Sequence, residues 1–146
     1  MTRAWVDLSG DLTLYGAGDT YKTITAKTTG NRQHFSVGQG QTLTLRWLKL
    51  TGGTAGDTNN GGSIYINKGS LHATSCVFFS NSAWNTGGAI FSQDGSAVIE
   101  DSIIEDNTVG TGTGGGGVGM SNGAMTITRS LIKDNDSGTN LSLIHI

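Results

Sequence analysis

Three aspartates have the type and spacing to do chemistry. Asp106 and Asp134 each stand directly before an asparagine, and Asp136 follows the second one. Two carboxyl groups about 5–9.5 Å apart can split a glycosidic bond. Several carboxylate oxygens can also gather Ca²⁺. The plainer reading is that acids beside asparagine form turns, because their short side chains bond local backbone. Lys133 stands next to Asp134, and a base for lyase chemistry is missing: Arg129 is expected to pair with Asp101. No polygalacturonase or pectate-lyase motif is present. His34, His72 and His145 sit at unrelated places, so no converging metal site is expected. Cys76 is expected to be a buried structural thiol. No cofactor is expected.

The elements that must position these residues are written in a repeat. Gly61-Gly62-Ser63-Ile64, Gly87-Gly88-Ala89-Ile90 and Gly115-Gly116-Gly117-Val118 are three copies of one phrase. In each copy a further glycine (Gly69, Gly95, Gly123) comes seven positions after the second. An asparagine (Asn81, Asn107, Asn135) follows twelve positions later. A period of 26 to 28 residues marks a solenoid. Within each copy Leu71/Ala97/Met125, Ala73/Ile99/Ile127 and Phe78/Ile104/Ile132 fall on inward positions that mostly alternate with polar ones, the mark of strands. An earlier copy fits with Gln41 in the glycine place. Leu43, Leu45 and Leu50 are then inward, and Gly53 takes the asparagine place.

In a parallel β-helix equivalent residues stack about 4.8 Å apart. Asn81, Asn107 and Asn135 are therefore expected to form an inward ladder of bonded amides. Asp101 should lie against Arg129 and Glu105 against Lys133, and a slip of one residue would lose both pairs. Residues 11–16, 21–26 and 35–37 read as further strands, with variable loops at 54–60, 83–86 and 109–114. The expectation is one β-helix domain over residues 1–140, of about five to six coils. Residues 141–146 abandon the repeat and read as foreign to it. Trp5 and Val6 are candidates to cap the first coil.

The outward rows carry the remaining clues. Thr44, His72, Val98 and Thr126 form one row, and Arg46, Thr74, Glu100 and Thr128 another. Ice-binding β-helices use unbroken threonine ladders, and these rows are interrupted. Val77, Ile103 and Leu131 share an outward place, with Lys49 before them and Trp47 nearby. A stacked apolar stripe on a surface marks a partner or a covering segment. The alternative is a bend that tucks these residues inward.

Composition narrows the classes. The chain has 24 glycines, no proline, 14% charged residues and a net charge of −2. That is too neutral for a nucleic-acid surface. One cysteine cannot form an internal disulfide framework. No apolar run is long enough for a transmembrane helix. Met1-Thr2-Arg3-Ala4-Trp5 lacks the apolar run of a signal peptide.

The motifs resemble the right-handed parallel β-helix repeat of the chlamydial polymorphic outer-membrane protein type. That repeat carries GGA[ILV], matched by Gly87-Gly88-Ala89-Ile90, and FxxN, matched by Phe78-Phe79-Ser80-Asn81. The resemblance covers residues 11–135 and implies an extracellular or cell-surface protein. The functional expectation is a non-enzymatic structural or interaction module. It would present a stacked face (Val77, Ile103, Leu131, Trp47) to a protein or carbohydrate partner, as an adhesin fragment or an accessory subunit of a larger assembly. The alternatives are a polysaccharide lyase or hydrolase using Asp106, Asp134 and Asp136, and an ice-binding protein.

Overall fold

The computed structural model describes residues 6–18, 20–26, 30–56, 59–112, 114–138 and 144–145. Every pairing between named strands is parallel. The chain winds as a β-solenoid of about four turns. β1 (Val6–Asp7) stacks on the start of the rod, and the first coil holds β2 (Leu12–Tyr15), β3 (Lys22–Thr25) and β4 (Phe35–Val37), the last paired with β1. The second holds β5 (Thr42–Arg46), β6 (Leu48–Thr51), β7 (Thr54–Ala55) and β8 (Ile64–Asn67). The third holds β9 (Ser70–Thr74), β10 (Val77–Phe79), β11 (Ser82–Ala83) and the first half of β12 (Ile90–Glu100). The rest of β12, β13 (Ile103–Glu105), β14 (Thr108–Val109) and the first half of β15 (Val118–Thr128) make the fourth. The end of β15, β16 (Leu131–Lys133) and β17 (Ile144–His145) begin another.

The coil count is below the expected five to six. The strands of the first forty residues complete one coil, because β2 and β3 already pair with β5 and β6 of the next. Ile144–His145, from the tail read as foreign, pairs with Val118–Gly119. The capping role expected of Trp5 lies outside the described residues. Val6 pairs with Phe35 at the first coil, but it is exposed. Among the described residues no helix is long and apolar enough to cross a membrane.

The inward columns form the core. Leu43, Leu71 and Ala97 stack in register, as do Leu45, Ala73 and Ile99, and Leu50, Phe78 and Ile104. All are essentially inaccessible to water. At the ends of these columns Leu12, Leu14, Ile24, Met125, Ile127 and Ile132 are only partly buried. A third, short sheet of β7, β11 and β14 stacks Ala55, Ala83 and Val109 as a second small core.

Corners turn on single left-handed residues. Trp47, Ser75, Asp101 and Arg129 make one corner, with φ of 56, 51, 51 and 48°. Gly52, Ser80, Asp106 and Asp134 make another, with φ of 76, 52, 54 and 54°. Serine and aspartate suit these places because their side chains can bond local backbone. Trp47 is the outlier, as a bulky residue at positive φ is uncommon. The glycine pairs divide their work. Gly61 and Gly87 take φ of 68 and 64°, whereas a Cβ on Gly88 would lie 2.0 Å from the carbonyl oxygen of Gly116. The first glycine supplies the bend. The second lets adjacent coils touch through bare backbone.

Loop lengths differ between coils. Gly62 lies seven positions after Ala55, and Gly116 seven after Val109. Gly88 lies only five after Ala83. The strands on either side keep their register across this difference.

Candidate functional site

The polar interior is structural. Asn81 Nδ2 donates to Asn107 Oδ1 at 3.0 Å, and Asn107 Nδ2 to Asn135 Oδ1 at 2.9 Å. Each oxygen also accepts a backbone N–H of the coil before: Gly53 at 2.9 Å, Asn81 at 3.0 Å and Asn107 at 3.0 Å. Each amide nitrogen also reaches a carbonyl, of Leu50, Phe78 or Ile104. Gly53 leaves a gap at the head of this column, and His34 fills it. A Cβ on Gly53 would lie 2.9 Å from His34 Nδ1 and 3.0 Å from Asn81 Oδ1. The ring is buried, with Nδ1 3.0 Å from the Ser63 hydroxyl and Nε2 3.2 Å from the Ile24 carbonyl. Burial holds its pKa below the usual histidine value, opposed by bonds to the Ile24 and Thr51 backbone. The sequence hinted at this only through the missing asparagine at Gly53.

Cys76 belongs to a second ladder with Ser102 and Ser130. The Cys76 N–H donates to Ser102 Oγ at 3.0 Å, and the Ser102 N–H to Ser130 Oγ at 3.1 Å. Each hydroxyl donates to a carbonyl two residues back. The thiol is buried, and burial pushes its pKa up, so it is a poor nucleophile.

The three aspartates do not build a desolvated pair. Asp106 and Asp134 sit exposed on the left-handed corner. Asp134 Oδ2 lies 3.5 Å from Lys133 Nζ. Asp136 Oδ1 accepts the Gly138 N–H at 2.8 Å, a local turn bond. Among the described residues no group of three His, Cys, Asp or Glu is placed to hold a metal ion. The register test holds. Arg129 Nε donates to Asp101 Oδ1 at 2.7 Å, and Lys133 Nζ lies 2.9 Å from Glu105 Oε2. The bond from Arg129 holds the Asp101 carboxyl below the usual range.

The apolar stripe differs from its expected form. Lys49, Val77, Ile103 and Leu131 do stack in register. Val77, however, is only 6% exposed, Ile103 is half-buried and Leu131 is 49% exposed. Val77 is closed off between two coils, although Ile103, flanked in the same way, is not. The register partners of Val77 are Lys49 and Ile103, and the Lys49 ammonium sits 4.1 Å over the nearby Phe79 ring. Among the described residues Leu131 lies on the last row, paired with Ile103. Trp47 is half-buried, with Tyr21 at 5.9 Å. The threonine rows stack as counted, with His72, Val98 and Glu100 within them.

Loops build the concavity that sequence reasoning missed. Three loops on successive coils enclose two adjoining hollows that share Asn60. Gln33 and Tyr65 line the smaller hollow. Asn85, Thr86 and Phe91 line the larger, about 310 Å³. The middle loop is the shorter one, so the surface dips there. The Tyr65 and Phe91 rings stack 6.1 Å apart and 4° from parallel, and the Tyr65 hydroxyl donates to Gln93 Oε1 at 2.7 Å. Burial, and then the charge of Asp94, push the phenol up and keep it protonated. Gln33 Nε2 fastens the first loop by donating to the carbonyls of Asn60 at 2.8 Å and Gly61 at 2.7 Å. The side-chain oxygen of Asn60 is buried and has no donor. No family model, curated protein or solved structure matches this chain.

Proposed function

We propose that the chain is a non-enzymatic interaction module. It is a rigid right-handed β-helix of the polymorphic outer-membrane protein repeat type that presents its sides to a protein or carbohydrate partner. The observation that carries this reading is the in-register row Val77, Ile103 and Leu131, in which Ile103 stays half-buried although a coil flanks it on each side. An apolar side chain that stays partly open between two coils offers a docking patch on the side of the rod. The acids give no competing centre, because a glycosidase's general acid needs a desolvated carboxyl. The cell-surface setting follows from the resemblance.

Two measurements test the proposal. Incubated with acidic and neutral polysaccharides, the protein should release no new reducing ends. A soluble Ile103→Asp, Leu131→Asp variant should lose the partner that the unaltered protein retains in a matched binding assay. Polysaccharide cleavage that disappears in an Asp106→Asn, Asp134→Asn variant would replace the module with a hydrolase.

A further inference from the structure

We infer that the loop-walled groove at Asn60 and Thr86 is a binding subsite for an uncharged oligosaccharide. This rests on the reading of the chain as an interaction module and names a ligand class for it.

Chemistry selects the ligand. The side chains that line the hollows carry no charge. Asn60, Asn85 and Thr86 offer amides and a hydroxyl, groups that both donate and accept hydrogen bonds, whereas the Gln33 amide hydrogens are already spent on the first loop. Sugar hydroxyls have the same double character. Tyr65 adds an apolar ring at the rim, with the buried Phe91 stacked against it. A charged polysaccharide would leave its carboxylates without a cation. A peptide adding as a strand would need a free strand edge, and β8 and β12 are already paired on both sides here.

Shape agrees. The larger hollow, about 310 Å³, lies at the small end of the range for ligand sites, about 300–1,000 Å³. The lining crosses three coils along the rod, so an extended chain can lie parallel to its axis. The groove is fixed from beneath. The loop after Val109 lies against the middle loop so closely that a Cβ on Gly114 would sit 1.8 Å from Thr86 Oγ1. The orphan oxygen of Asn60 supplies the independent sign of a missing partner. A buried carbonyl without a donor is costly, and a small rotation of this amide toward the hollow would let a hydroxyl donate to it.

The test is NMR titration of the ¹⁵N-labelled protein with cellohexaose, laminarihexaose and mannohexaose. Hexagalacturonate and an uncharged hexapeptide serve as controls. At least one neutral hexasaccharide should move the side-chain amide signals of Asn60 and Asn85 and the backbone signal of Thr86. Asn60→Ala, which removes an oxygen that accepts no bond, should keep the melting temperature and weaken that affinity by about tenfold, the worth of one good bond. No movement with any neutral hexasaccharide overturns the inference, as does an equal response to either control. Unchanged affinity in Asn60→Ala overturns it too. Binding followed by cleavage supports the subsite and overturns the module reading. Absence of binding leaves the module reading standing.

Discussion

Buried asparagine oxygens in this molecule meet two opposite fates. In the column Asn81, Asn107 and Asn135, every side-chain oxygen and nitrogen is bonded to a neighbouring coil. In the loop groove, the Asn60 oxygen is buried and bonded to nothing. Coils in the column repeat, so each one supplies the partner its neighbour needs. Loops do not repeat, so no neighbour is guaranteed. Satisfied amides mark where the chain builds itself. The unsatisfied one at Asn60 is the sign on which the proposed subsite rests.

The sharpest break of this comparison is in mid-column. Asn107→Ala should destabilise the fold by roughly 2–4 kcal/mol, because it strips acceptors from Asn81 and a donor from the Phe78 carbonyl. Urea unfolding would measure it. A loss below about 1 kcal/mol would mean that the ladder bonds are readily replaced by water.

A smaller effect should come from the head of the same column. The folded pKa of His34 is depressed by burial, so the unfolded chain binds its proton more readily. The neutral ring therefore contributes stability above about pH 6.5, the ordinary histidine value. That contribution fades as pH falls through the lower folded value. The urea midpoint should drop between pH 7.5 and pH 5, and His34→Gln should flatten that part of the profile. An unchanged slope in His34→Gln would assign the acid sensitivity elsewhere. The smallest effect belongs to Asn60→Ala, with a stability change within about 0.5 kcal/mol of zero or slightly favourable. Together the three variants rank interior column, column head and groove by how completely each polar group is satisfied.

Residues that stack were legible in the sequence, and residues that do not were hidden. Asp101 with Arg129, Glu105 with Lys133, and the whole asparagine column follow from counting, because a parallel coil turns sequence period into contact. Exposure did not follow from counting. Val77, Ile103 and Leu131 share one place, yet one is buried, one half-buried and one open, a difference that the repeat does not encode. The strands Thr54–Ala55, Ser82–Ala83 and Thr108–Val109 are too short to show alternation. Asn60, Asn85 and Thr86 carried no repeat signal because they lie where loop length changes. The shorter middle loop was the one readable sign of the dip.

That difference in loop length has a consequence for how such a chain can change. The strands on both sides of the loops resume their register whether the glycine comes five or seven positions on. A coil is thus a cassette with a socket on its side. New ligands can be tried by editing the socket, while the cassette still clips onto its neighbours.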